Sequence, residues 1–235
     1  MWQDLCVAFL RALILTSCLL LSLAAFSQQD LNKHIYPLAP STSAPKVVID
    51  VTDSPESKEW AASAKKLVED WYPIVVSMLA TQDFKRPDEI KLIFKKDLNV
   101  PAYASGGSIT INGKWIAEHP DDLGMVIHEL VHVLQQYPRN RANTGWLTEG
   151  IADYIRWWRY EPEAPRSRIT ENSKMTDGYR VTAYFLAWAG KKYDLRLVPS
   201  LDAALRKGED PMPVFEKVCG KSADELWKEF AAAAR

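Results

Sequence analysis

The hydrophobic residues of the first half of the chain predict three short strands. Continuous apolar runs at 46–51 and 89–94 are typical of buried strands. A third strand is predicted within 104–113, where residues of alternating polarity are bracketed by glycines and by an Asn-Gly pair. This third strand is either an exposed edge strand that can pair with an extended peptide or an ordinary member of the sheet.

Apolar residues with helical spacing predict the rest of the structure. The first helix is expected to start after Ser54 as N-cap, with Pro55 in its first position, and to reach Leu79 with a kink at Pro73. Further helices are predicted at 124–136, 146–158, 179–192, 198–206, 213–218 and 223–233. The fold class is therefore α+β, with a small mixed sheet in the N-terminal part and a mainly helical C-terminal half.

The N-terminus predicts export from the cytoplasm. An apolar run of 15 residues follows Arg11 and ends in Ala25-Phe26-Ser27, which is typical of a signal peptide. We therefore expect a signal peptide at 1–27, a Pro-containing linker at 28–45 and one domain at 46–235, secreted or periplasmic and without stable membrane insertion. An uncleaved anchor and a lipoprotein modified at Cys18 are the alternatives.

Composition narrows the classes of partner. The 235 residues carry a formal net charge of −1, so the overall charge gives no reason to expect a nucleic acid as partner. After signal removal Cys219 is the only cysteine, which excludes an internal disulfide. We expect a monomer with an ordinary hydrophobic core.

The segment His128-Glu129-Leu130-Val131-His132 predicts a Zn²⁺ site. Residues four apart lie one turn apart on the same helix face, so both imidazoles can reach one ion. Glu129 stands beside them, where it can hold a water molecule and act as general base. The alternative is a buried amphipathic helix in which the two histidines have this spacing by coincidence.

A catalytic zinc needs a third protein ligand, and Glu149 is the best candidate. It begins the next helix, 17 residues after His132, so that helix can run antiparallel to the first. Asp153 lies one turn further on and can accept a hydrogen bond from the outer nitrogen of a ligand histidine. The reverse assignment of the two carboxylates, and a surface acidic pair without a metal, remain open.

Several segments resemble known peptidases. The His-Glu-x-x-His pattern followed by Trp146–Ala152 is similar to the Glu-zincin metallopeptidases. The segments 149–156, 177–186 and 219–227 resemble the plant and bacterial basic secretory protein family, a candidate peptidase family, and the likeness covers about residues 46–232. The resemblance implies a zincin-like fold with His128, His132 and Glu149 as zinc ligands. The near-neutral charge departs from the family name.

Together these features predict a secreted zinc peptidase, most simply an endopeptidase acting on peptides or proteins. Tyr179, in the Asp-Gly-Tyr segment marked by the resemblance, is the candidate for stabilising the oxyanion. Its rivals are Tyr137, Tyr154 and Tyr184. Two other functions stay open. One is a secreted zinc-containing binding or defence protein without turnover. The other is a structural metal site closed by a fourth protein ligand, for which His34, His119 and Cys219 are the few candidates.

Overall fold

The computed structural model describes residues 43–79, 81, 84–138 and 143–234. The predicted signal peptide and almost all of the predicted linker lie outside these residues, so both remain predictions. In the described part of the chain, no helix is long and apolar enough to cross a membrane.

A four-stranded mixed sheet forms the N-terminal part of the fold. Its strands are β1 (Lys46–Asp50), β2 (Glu89–Lys95), β3 (Ala102–Ser105) and β4 (Ser108–Asn112). They lie in the order β1-β2-β4-β3, with β1, β2 and β4 parallel and β3 antiparallel to β4.

The third predicted strand proves to be part of a hairpin. Strand β4 is an interior strand with a buried backbone and buried side chains, and β3 occupies the edge of the sheet. Gly106 makes the turn between them with a φ of 58°, in the left-handed region that favours glycine. The short segment Ala102–Ser105 has one large apolar residue, so its sequence carries little strand signal.

Helix α1 (Lys58–Leu79) follows β1 and packs against the sheet. It is preceded by a short 3₁₀ turn at Pro55–Ser57 and continues through Pro73. Ser54 stands before this turn as predicted, but its hydroxyl lies 2.8 Å from that of Ser57 and makes no cap to a backbone N–H. The predicted N-cap contact is therefore replaced by a contact between two side chains.

The remaining helices begin directly after the sheet. A helix missed from the sequence, α2 (Gly113–Glu118), is capped by Asn112, whose side chain accepts from the N–H groups of Lys114 and Trp115. The other helices are α3 (Gly124–Gln135), α4 (Gly145–Ile155), α5 (Tyr179–Lys192), α6 (Leu197–Lys207), α7 (Met212–Cys219) and α8 (Ala223–Ala234). The predicted α+β class is confirmed. A π-helical turn at Arg156–Tyr160 replaces the end of the helix predicted at 146–158.

Helix α3 lies at the centre of the fold. It packs against α1, the strands β3 and β4, helix α4 and the π-helical turn. Its apolar face is fully buried, with Val126, Ile127, Leu130 and Val131 inaccessible to solvent. The apolar stripe of this helix therefore fixes which way its histidines point.

Candidate metal centre and cleft

Helices α3 and α4 bring the three predicted zinc ligands together. The Nε2 atoms of His128 and His132, one turn apart on α3, are 3.0 Å from each other. The Oε2 atom of Glu149 on α4 lies 3.1 Å from Nε2 of His128 and 3.4 Å from Nε2 of His132. Within the described residues, these three form the one group of His, Cys, Asp or Glu side chains close enough to hold a metal ion.

The spacing of these atoms fits zinc. Zn–N and Zn–O bonds of about 2.0–2.1 Å at tetrahedral angles place ligand atoms about 3.3 Å apart. The observed triangle of 3.0, 3.1 and 3.4 Å agrees with that value. Three protein donors leave room for a fourth, non-protein ligand, as in catalytic zinc sites.

The outer nitrogen of each histidine faces a hydrogen-bond acceptor. Nδ1 of His128 lies 2.7 Å from a carboxylate oxygen of Asp153. Nδ1 of His132 lies 2.7 Å from Oε1 of Gln135, whose amide nitrogen donates to the carbonyl of Thr148 at 2.9 Å. Because both acceptors require a hydrogen on Nδ1, Nε2 is the atom of each neutral imidazole that can bind a metal ion at the shared centre.

The role of Gln135 as the hydrogen-bond partner of His132 was not predicted from the sequence. The sequence predicted a hydrogen bond from a ligand histidine to Asp153, whereas the side chain that accepts from His132 is an amide on the same helix. Gln135 follows His132 by three residues and therefore shares its face of the helix. A polar residue on the buried face of an otherwise apolar helix was the available signal.

The site has an excess of buried negative charge. Burial disfavours ionisation of Glu149, but hydrogen bonds from His128 and His132 outweigh it and lower the pKa of this carboxyl to about 2. Burial likewise opposes protonation of His128, but Asp153 and Glu149 raise its pKa to about 9. The site therefore favours a positive charge between these groups, and a metal cation bound there displaces the proton.

Glu129 lines the cleft beside the ligand cluster and is buried. Burial raises the pKa of its carboxyl, against the opposing effects of His128 and His132. Its carboxylate also accepts a hydrogen bond from the backbone N–H of Ala104 on β3. The edge strand therefore contacts the predicted general base.

Tyr179 stands over the ligand cluster at the first residue of α5. Its ring is stacked on that of His128, with centroids 6.2 Å apart and planes 12° from parallel. The residue is 58% exposed and has a φ of 44°, which is rare for a tyrosine and typical of functional sites. The negative charge of Glu149 raises the pKa of its hydroxyl, which keeps Tyr179 a hydrogen-bond donor.

The three rival tyrosines lie in other environments. Tyr137 lines the cleft, but its hydroxyl donates to the buried Asp202 at 2.6 Å. Tyr154 and Tyr184 do not line the cleft. Tyr154 is buried, and Tyr184 packs between Trp158 and Phe230. Of the four, Tyr179 alone presents an exposed ring to the cluster.

The two alternative fourth ligands among the described residues are not at the cluster. The ring of His119 is stacked on Trp115, with centroids 3.9 Å apart. Cys219 ends α7, and burial raises the pKa of its thiol to about 11, as expected for a packed cysteine. His34 lies outside the described residues.

The cluster opens into a cleft of about 1290 Å³. One wall is β3 with the residues on either side of it, and the floor is α3. Residues of α4, of the π-helical turn and of the start of α5 also line the cleft. The cleft is therefore bounded on one side by a strand whose outer edge pairs with no other described strand.

Residues 45–230 match the BSP family, which is described as a peptidase of plants and bacteria. The chain belongs to this family. Neither the curated proteins nor the solved structures contain a match to the chain.

Membership of the BSP family confirms the resemblance found in the sequence and supports the prediction of a peptidase. The chain is a hydrolase of peptidase type, and its substrates are peptides or proteins. For this BSP-family chain, the structure adds a possible metal site of two histidines and one glutamate beside a cleft.

Proposed function

We propose that this chain is a zinc-dependent endopeptidase of zincin type. The observation that carries the proposal is the triangle formed by His128, His132 and Glu149, whose edges fit tetrahedral zinc. Zinc bound there supplies a Lewis acid that polarises the scissile carbonyl and lowers the pKa of a water molecule.

Glu129 is the general base in this proposal. Its carboxylate lines the cleft next to the ligands, and the N–H of Ala104 orients it. Glu129 accepts a proton from the attacking water and then delivers it to the nitrogen of the leaving amine. The raised pKa of the buried carboxyl suits a group that must both accept and release a proton.

Tyr179 is the oxyanion stabiliser. Its ring is stacked on that of His128, and its hydroxyl donates to the negative oxygen that develops during attack. Asp153 and Gln135 act through the ligands: each fixes the tautomer and the orientation of one imidazole.

The cleft favours an endopeptidase. Strand β3 has one edge without a strand partner among the described residues, and an extended peptide can add to such an edge through main-chain hydrogen bonds. Backbone pairing of this kind selects extended chains and needs no free peptide terminus.

Export and the monomeric state belong to the same proposal. The signal peptide predicted at 1–27 places the enzyme outside the cytoplasm, in the periplasm or the medium. N-terminal sequencing of the exported protein tests the predicted cleavage after about Ser27. Light scattering of the purified protein tests the monomer.

The central test is the variant Glu129→Gln. We expect it to bind zinc as the parent does but to cleave casein and a peptide library at least about 100-fold more slowly, because the base is lost. Zinc content is measured by metal analysis and cleavage by mass spectrometry. Glu171→Gln, which changes an exposed glutamate outside the cleft, is the matched control and should retain full activity.

Two outcomes contradict the proposal. Cleavage by Glu129→Gln at the parental rate would show that another group is the base. A zinc-loaded parent that cleaves no peptide, with or without chelator, would favour the alternative of a zinc-containing binding or defence protein.

A further inference from the structure

One end of the cleft contains a tryptophan between two arginines. Trp157, in the π-helical turn, has the guanidinium carbon of Arg156 at 4.1 Å and that of Arg180 at 3.5 Å from its ring centroid. All three line the cleft, together with Asp122 just before α3. This cluster lies toward the N-terminal end of α3.

The two arginines differ in what they bind. Arg156 is half-buried, and its guanidinium donates to Asp122 at 2.5 Å and to Glu161 at 3.2 Å. The contact with Asp122 joins the π-helical turn to the segment just before α3. Arg156 is therefore a structural residue whose charge is already compensated.

Arg180 has no such partner. It is exposed, and no carboxylate of the described residues lies within 4.0 Å of its guanidinium. The guanidinium lies over the face of the Trp157 ring at van der Waals distance, and the residue is exposed to solvent. Arg180 also follows Tyr179 directly, so it stands next to the proposed oxyanion stabiliser.

The acidic residues that line the cleft have other roles. Glu129, Glu149 and Asp153 belong to the candidate metal centre, and Asp122 is paired with Arg156. Asp177 accepts from the backbone N–H of Lys174 at 2.9 Å. Among the described residues that line the cleft, Arg180 is thus the arginine or lysine without a carboxylate partner.

We propose that Arg180, supported by Trp157, binds a carboxylate of the peptide substrate. This inference rests on the proposed peptidase function and specifies its substrate class. The carboxylate is either an acidic side chain a few residues from the scissile bond or the C-terminal carboxylate of the substrate. A planar guanidinium with donors on its edge binds a carboxylate through two parallel hydrogen bonds.

The first experiment measures cleavage by the zinc-loaded parent and by Arg180→Gln. Four matched peptides carry Asp or Asn at one position and a free or amidated C-terminus, so they separate the two sources of carboxylate. We expect the parent to prefer a carboxylate-bearing peptide and the variant to lose about fivefold to tenfold in kcat/KM on it, mainly through KM. Peptides without the carboxylate should lose much less kcat/KM in Arg180→Gln than the carboxylate-bearing peptide does.

Two further variants serve as controls. Arg168→Gln removes the same charge from an exposed arginine that does not line the cleft, and it should keep the preference. Arg180→Glu should reverse the preference toward a peptide with Lys at the same position. A parent without preference, or a preference retained by Arg180→Gln, would overturn the inference.

A binding measurement separates failure of this inference from failure of the proposed function. Calorimetry with the Asp and Asn peptides on the Glu129→Gln chain reports binding without turnover. One outcome is that the parent cleaves no peptide, while Glu129→Gln prefers the carboxylate-bearing peptide in binding and Glu129→Gln/Arg180→Gln has lost this preference. In that case the peptidase function fails and the subsite stands. Equal binding of all four peptides would overturn the subsite whether or not the parent is a peptidase.

Discussion

At the scale of single residues, the candidate metal centre depends on side chains that contact the ligands and not the metal. Asp153 and Gln135 each accept from Nδ1 of one histidine at 2.7 Å. Gln135 in turn donates to the carbonyl of Thr148, near Glu149 on α4. This one amide therefore connects the helix that provides two ligands to the helix that provides the third.

Replacing Gln135 tests this role directly. Gln135→Met keeps most of the volume but removes both hydrogen bonds, so the imidazole of His132 loses its fixed tautomer. We expect zinc affinity to fall about 10-fold to 100-fold, measured by competition with a chromophoric chelator.

The matched variant is Gln135→Glu, which retains an acceptor for Nδ1 of His132. It should bind zinc more tightly than Gln135→Met. Parental zinc affinity in Gln135→Met would show that packing alone orients the imidazole.

Asp153 and Gln135 also show how far single residues were predictable. Asp153 was found because a carboxylate one turn after Glu149 has a defined use beside a metal-ligating histidine. Gln135 was not found because a glutamine near a helix end has many uses. Which one it serves is set by the approach of α4, about 13 residues later in the chain.

At the scale of helices and strands, close packing of α4 on α5 brings Glu149 and Tyr179 to the same site. Gly150 lies at this contact: a Cβ there would stand 2.2 Å from Cγ2 of Thr182 on α5. Thr182 is fully buried and donates to the carbonyl of Met175. The two helices can be this close because the residue next to Glu149 has no side chain.

Gly150→Ala should therefore destabilise the fold. The added methyl group forces α4 and α5 apart, at a cost of about 1–3 kcal/mol in the free energy of unfolding, measured by urea denaturation. Gly145→Ala on the same helix, where a Cβ meets nothing within 4 Å, is the control and should not be destabilised.

A second substitution identifies the cause. Thr182→Ser removes the nearest methyl group and retains the hydroxyl, so Gly150→Ala/Thr182→Ser should recover part of the lost stability. No recovery in the double variant would place the cost elsewhere, for example in the backbone of α4.

At the scale of the whole molecule, a buried arginine joins three distant parts of the chain. Arg206 on α6 donates to the carbonyls of Leu79, which ends α1, and of Leu134, near the end of α3. Its guanidinium lies 2.8 Å from Asp202, which also accepts from Tyr137 at 2.6 Å. The C-terminal part is thus anchored to the first helix and to the helix that carries the histidines.

The burial of Asp202 predicts a pH dependence of stability. Burial raises the pKa of Asp202 to about 7, outweighing the lowering effects of Arg206 and Tyr137. Between about pH 4 and about pH 7 the folded state therefore holds a proton that the unfolded state has released. The contribution of Asp202 to stability is present at low pH and is lost as the pH rises, with a slope of up to about 1.4 kcal/mol per pH unit.

Urea denaturation at several pH values, with a chelator in every sample to remove metal effects, measures this slope. The variant Asp202→Asn cannot ionise and should lack it, so the difference in stability between the parent and the variant should change with pH. Parallel curves for the two proteins would contradict the assignment of the slope to Asp202.

Local sequence determined the parts of this protein that depend on neighbours in the chain. The spacing of His128 and His132 on one helix follows from helical geometry, and α8 begins with a local capping box of mutual contacts between Ser222 and Glu225. The α+β class followed in the same way from hydrophobic periodicity.

Tertiary structure alone decided which strand lies at the edge, which amide supports His132 and which cleft arginine lacks a carboxylate. Arg156 and Arg180 both contact Trp157, but only Arg156 reaches Asp122, 34 positions away in the sequence. Such pairings depend on how helices from distant segments pack against each other. The hydrophobic pattern of the sequence specifies which faces are buried, but it does not specify which polar groups come into contact as a result.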